Sequence, residues 1–201
     1  MFQEFQEFQE FPKIARLNRP VIVTEKIDGT NAQIFIPAAY EHVNAEPIVK
    51  LPNAWIYAGS RNRLLTLDND NYGFASWVYN NAVELAKLGP GRHFGEWWGS
   101  GIQRGYGLPK GEKRFSLFNV SKWSDDAVRP ACCHVVPVIA EGDGLESFSV
   151  ANKALQVLKE RGSFAAPGFM NPEGIIAYHT ASNKLFKATI HKDQMPKSCT
   201  G

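Results

Sequence analysis

Apolar and polar residues alternate in short runs along most of the chain, and only two windows repeat apolar positions at helical spacing. The alternating runs predict strands over residues 21–27, 32–36, 55–58, 92–98, 114–120, 134–139, 174–179 and 184–190, most of them bounded by Gly, Pro, Asn or Asp. Phe74, Trp77, Val78, Ala82, Leu85 and Leu88 predict a helix over 72–88, stopped by Gly89-Pro90-Gly91. Val150, Ala154, Leu155 and Leu158 predict a second over 149–161, stopped by Gly162. Clusters of strands with helices between them point to an α+β fold with antiparallel sheets flanked by helices. A Phe-Gln-Glu repeat opens the chain and spaces Phe2, Phe5, Phe8 and Phe11 three apart. This leader, residues 1–12, covers an edge of the core or forms a partner-binding stripe, and Pro12 ends it.

Composition narrows the class. The 201 residues are 44% hydrophobic and 21% charged, enough to bury one sizeable core, so one domain over 1–201 is expected. With 22 Lys and Arg against 20 Asp and Glu there is no global positive field, and a nucleic-acid partner must be read from local groups. No apolar run reaches the roughly 18 residues of a membrane span, and the N-terminus lacks the order of a secretory signal. Cys132, Cys133 and Cys199 form neither an even disulfide framework nor a metal-type pair, which fits reduced thiols in a cytoplasm. His42, His93, His134, His179 and His191 show no zinc-like spacing, so a structural metal is not expected.

The stretch Thr24-Glu25-Lys26-Ile27-Asp28-Gly29-Thr30-Asn31 carries the chemistry. Side chains two apart on a strand share a face, which puts Lys26 and Asp28 together. A lysine amine is nucleophilic only when deprotonated, and burial or a nearby cation favours that form. Gly29 lets backbone turn closely beside a ligand. The plainer reading is a hairpin with an exposed lysine and an Asp-Gly turn.

Lys26-Ile27-Asp28-Gly29 resembles the signature of the covalent nucleotidyltransferases: DNA ligases, RNA ligases and mRNA capping enzymes. Further motifs follow in order. Ser60-Arg61 resembles the next, Phe94-Gly95-Glu96 the third, and Arg114 to Phe118 the aromatic strand after it. Glu173-Gly174 resembles the fourth and Phe186-Lys187 the start of the last. Asn31, five positions after the lysine, and the Gly-Ile-Gln of residues 101–103 resemble the RNA ligase 2-like family in particular. One departure stands out: the last motif usually reads Lys-x-Lys, and here it is Lys187-Ala188-Thr189. The second charge is then missing, or comes from Lys184 or Lys192.

The resemblance implies an ATP-grasp-like nucleotidyltransferase domain acting as an ATP-dependent RNA ligase with Mg²⁺ or Mn²⁺. By that resemblance Lys26, Asp28 and Lys187 are catalytic. Glu25, Lys26, Asn31, Arg61, Glu96, Phe118 (or Phe115), Glu173, Lys184 and Lys187 contact the nucleotide, and Glu173 and Asp28 serve the metal. It implies RNA 5′-phosphate and 3′-hydroxyl ends as partners, and RNA repair in a virus or bacterium. Only 11 residues follow Ile190, so no C-terminal OB-fold is expected, and RNA is gripped by this domain alone or with a partner protein. Weak, salt-sensitive RNA binding would follow. Two other readings share the residues: a GTP-using capping-type guanylyltransferase, and a non-catalytic nucleotide or RNA-end binding module. Singly, Glu96 and Glu173 read as surface carboxylates and Phe115 and Phe118 as core; their joint order argues for a site.

Overall fold

The computed structural model describes residues 9–38 and 41–191. Phe2, Phe5, Phe8, Lys192 and Cys199 lie outside them. Two sheets face each other. The first has four antiparallel strands in the order β10-β9-β1-β8, from β10 (Lys184–Thr189), β9 (Gly174–His179), β1 (Pro20–Lys26) and β8 (Val138–Asp143). The second has six, β3-β4-β2-β5-β6-β7. They are β3 (Val49–Lys50), β4 (Trp55–Ser60), β2 (Thr30–Ile36), β5 (Gly91–Gly99), β6 (Lys113–Leu117) and β7 (His134–Val135). The expected wholly antiparallel pairing holds except at β6 and β7, which run parallel.

Proline explains why the predicted strand over 134–139 is two strands in different sheets. Pro137 has no N–H to give a ladder. Val136 still donates to the Leu117 carbonyl of the second sheet, while the Pro137 carbonyl accepts from Glu25 of the first. The chain therefore changes sheets at this dipeptide.

The helix predicted over 72–88 is interrupted. It forms as α1 (Phe74–Asn80) and α2 (Ala82–Leu85), followed by a 3₁₀ turn over Ala86–Leu88. Asn81 makes the break, its amide Nδ2 donating back to the Trp77 carbonyl at 2.8 Å. The strand predicted to reach residue 120 stops at Leu117 because Asn119 caps a short helix, α3 (Val120–Trp123), accepting from the Lys122 N–H at 3.1 Å. The second predicted helix is α4 (Ser147–Arg161), ended by Gly162 at φ 78°.

Three apolar clusters hold the layers. Phe74, Val78 and Leu85 of the interrupted helix pack under the six-stranded sheet with Ile34, Ile56, Trp97 and Phe115. Ala154 and Leu158, four apart on α4, bury against Val21, Val23 and Ile175 of the other sheet. Burying a leucine fully contributes about 1.5–3 kcal/mol. Ile27, Trp98, Tyr106, Val136 and Ala166 fill the junction. The adjacent Trp97 and Trp98 thus bury into different clusters, as strand alternation requires. Phe11 is 78% exposed and covers no core edge. Among the described residues no helix is long and apolar enough to cross a membrane.

Candidate active site

A cleft of about 1120 Å³ opens between the sheets. Strand register assembles its centre. Lys26, the last residue of β1, pairs with Gly174 on β9, which brings its Nζ to 2.5 Å from Glu173 Oε2. Asn31 on β2 pairs with Glu96 on β5, and Lys187 on β10 pairs with Ile176. Lys26, Asp28, Asn31, Arg61, Glu96, Phe118, Glu173 and Lys187 all line the cleft.

Glu96 anchors one wall. Its Oε1 accepts the Gly29 N–H at 3.1 Å and its Oε2 accepts the Asn31 amide at 3.0 Å. Asn31 Oδ1 in turn accepts from Arg61 Nε at 2.8 Å, which fixes the amide orientation. Burial pushes the Glu96 carboxyl up to about 7, against the opposing pull of Asn31, the Lys26 charge and the Gly29 N–H. Glu173 adds a like charge in the same upward direction.

Asp28 faces Arg104, whose Nε lies 2.8 Å from its Oδ2, and the Asp28 N–H donates to Tyr106 Oη at 2.8 Å. Burial raises the Tyr106 phenol, which therefore stays a neutral acceptor here. Neither partner was read from the sequence. Both follow closely on the Gly-Ile-Gln of residues 101–103, but Tyr106 reaches Asp28 from a φ of 53° that no pattern announces. Phe94 was also not assigned a role of its own. It is 53% exposed in the cleft, and its carbonyl accepts from Phe118 across the strands.

Strand alternation turns the side chains of two expected contacts away from the cleft. Glu25 falls on the opposite face of β1 from Lys26, and its carboxylate is buried against Ser163 Oγ, at 2.6 Å, and the N–H groups of Phe164 and Ala165. It pins the loop after α4, leaving only its main chain for a cleft ligand. Burial raises its carboxyl, with those hydrogen bonds opposing. Lys184 likewise falls on the face of β10 opposite Leu185 and Lys187; its alternation partner Ala188 packs toward α4. It does not line the cleft. Of the two aromatic candidates, Phe115 is buried among Phe74 and Trp77, and Phe118 is 42% exposed in the cleft.

Gly29 is the glycine the turn demands. A Cβ there would stand 2.4 Å from the Trp97 carbonyl oxygen and 2.8 Å from Trp98 Cβ. Gly29→Ala is expected to cost about 1–3 kcal/mol, as overpacking does, read as a lower urea midpoint.

Charge makes the cleft suited to phosphates. Among the described residues, ion pairs occupy Lys26 and Arg104, but none engages Arg61, Arg92, Lys122 or Lys187. Four cations without carboxylate partners thus face one cleft.

Two facing sheets with a lysine, two glutamates and a second lysine converging between them define a nucleotidyltransferase-type domain. The chain belongs to the RNA ligase family, which it matches over residues 19–189. Its fold resembles that of Naegleria gruberi RNA ligase. A lysine-to-alanine mutant of that enzyme, with ATP and Mn, aligns at TM-score 0.57 and 18% identity, over 86% of this chain and 49% of that one. The same ligase with PPi gives 0.55 at 18% identity, over 86% and 50%. A lysine-to-methionine mutant with AMP and Mn gives 0.52 at 18% identity, over 92% and 57%. The likeness is one of fold, and this chain spans about half the length of those ligases. No curated protein matches.

Proposed function

We propose that the chain is the adenylyl-transferring part of an ATP-dependent RNA ligase, with Lys26 as nucleophile. The observation that carries this is the convergence of Lys26, Glu96 and Lys187 from three strands, and of Glu173 from the residue just before β9, onto one cationic cleft in an RNA ligase family domain. The Naegleria ligase structures with ATP and Mn, and with AMP and Mn, support ATP and a divalent cation as what the cleft takes.

Lys26 Nζ attacks the α-phosphorus of ATP, forming an N–P bond as the bond to the bridging oxygen breaks, and pyrophosphate leaves with the electron pair. Nζ must first lose a proton, and Glu173 Oε2, at 2.5 Å, is placed to receive it. AMP then passes to an RNA 5′-phosphate, and an RNA 3′-hydroxyl displaces it, closing the phosphodiester. Lys187 and Arg61 offset phosphate charge, Phe118 offers a face for adenine, and Glu96 accepts from ribose hydroxyls. RNA repair is the role this chemistry serves.

A divalent cation on nucleotide phosphates takes most of its oxygens from phosphate and water and needs only one or two carboxylates. Among the described residues no cluster of three or more His, Cys, Asp or Glu could cage an ion, whereas Glu173 and Asp28 both face the cleft beside Lys26. That donor set fits a phosphate-borne cation, with Glu173 placed to hold it and Asp28 able to offer Oδ1 while its Oδ2 stays on Arg104. The bound cation supplies Lewis-acid stabilisation of phosphate charge.

Nucleotide-free protein incubated with α-labelled ATP or GTP and Mg²⁺, then run on a denaturing gel, is expected to carry label from ATP. Label from GTP alone would make it a guanylyltransferase. Label from neither would sink the reading in favour of a binding module.

A further inference from the structure

Arg104 is the side chain that joins the two halves of the site. Its Nε donates to Asp28 Oδ2 at 2.8 Å, two residues after Lys26. Its Nη1 donates to the Asn171 carbonyl at 3.0 Å, to Asn171 Oδ1 at 2.9 Å and to the Pro172 carbonyl at 3.3 Å, immediately before Glu173. The nucleophile's turn and the segment that presents Glu173 come from different parts of the chain, and one planar guanidinium spans them.

The loop that delivers Arg104 is built under strain. Gln103 and Tyr106 adopt φ of 45° and 53°, in the left-handed region that non-glycine residues avoid. Tyr106 closes the clamp from the other side by accepting the Asp28 N–H, and packs on Phe169 at a ring separation of 4.6 Å and on Trp98 at 5.2 Å. Strain of this kind persists only where surrounding contacts fix it. Here those contacts include Asp28, the 169–172 segment and Trp98.

We propose that Arg104 is a positioning residue that sets the aim of Lys26 relative to Glu173, resting on the ligase reading above. It acts through Asp28 and the 171–172 carbonyls and touches no reacting atom. A planar fork can address a carboxylate and two carbonyls at once, which a lysine ammonium on a flexible stem cannot. Misaim of a nucleophile by about 1 Å costs on the order of 100-fold in rate.

The test compares the full chain with Arg104→Ala and Arg104→Lys. Rates of Lys26 adduct formation are measured against ATP concentration, and amide hydrogen exchange is followed over residues 24–31, 168–176 and α4. The expected result for Arg104→Ala is a maximal rate lower by about 10–100-fold with half-saturating ATP little changed. Exchange should quicken over 24–31 and 168–176 and not over α4. Arg104→Lys should recover only part of the rate. An unchanged maximal rate, or a raised half-saturating concentration at full maximal rate, would overturn the proposal, the latter making Arg104 a ligand contact. Exchange that quickens equally in α4 would also overturn it, by making the role a general structural one. Absence of any adduct in the unsubstituted chain would overturn the ligase reading itself, and the aim of Lys26 with it.

Discussion

Lys26→Ala is expected to abolish label transfer from ATP to the protein, a loss of at least about 10⁴-fold, on the scale seen when a covalent nucleophile is removed. No neighbour can substitute. Lys187 pairs with Ile176, two residues along from the Gly174 that faces Lys26, and β10 lies two strands from β1. Strand spacings put the two lysines' backbones about 12 Å apart. Lys26→Arg separates charge from nucleophilicity: a guanidinium can still pair with Glu173 but does not deprotonate in proteins. It should therefore fold as the parent does, with an unchanged melting curve, and still take no label. Label retained in either variant would place the nucleophile elsewhere.

What could be read from the sequence, and what could not, divides along a physical line. Features set by periodicity were legible: the strand over 174–179 has the expected bounds, and α4 begins two residues early because a 3₁₀ turn at Gly144–Glu146 leads into it. Breaks set by a single side chain's local hydrogen bonds were not. Asn81 and Asn119 each use a side-chain amide to redirect the chain, and nothing in the apolar pattern marks them. Within the site, order along the chain named Lys26, Asn31, Glu96, Glu173 and Lys187, all of which line the cleft. The side chains of Glu25 and Lys184 fall on the faces of β1 and β10 turned from the cleft, a placement that follows from alternation once those strands are assigned. Arg104 was illegible for a different reason. Its partners lie 76 and 67 residues away, and its loop reaches them through left-handed φ angles rather than through a regular element.

Stability is expected to depend on pH through Glu96. Its carboxyl is pushed from an ordinary 4.5 up to about 7 by burial. Between those values the folded chain holds a proton that the unfolded chain has lost. Stability therefore falls as pH rises from about 4.5 to about 7 and levels off above, by up to about 3 kcal/mol from this group. Glu25, also raised by burial, slopes the same way. Glu96→Gln removes one contribution, so its urea midpoint should vary less with pH than the parent's; equal slopes would exclude Glu96 as a source. The variant should also be the weaker of the two near pH 5. Asn31 cannot turn its amide to meet the new NH₂ because Arg61 holds its Oδ1, so two donors confront each other. The same chemistry makes a prediction for the ligand. Ribose hydroxyls donating to Glu96 would favour its ionised form, so AMP binding near pH 7 should release a proton, measurable as a binding enthalpy that changes with the buffer's ionisation enthalpy, and Glu96→Gln should abolish that dependence.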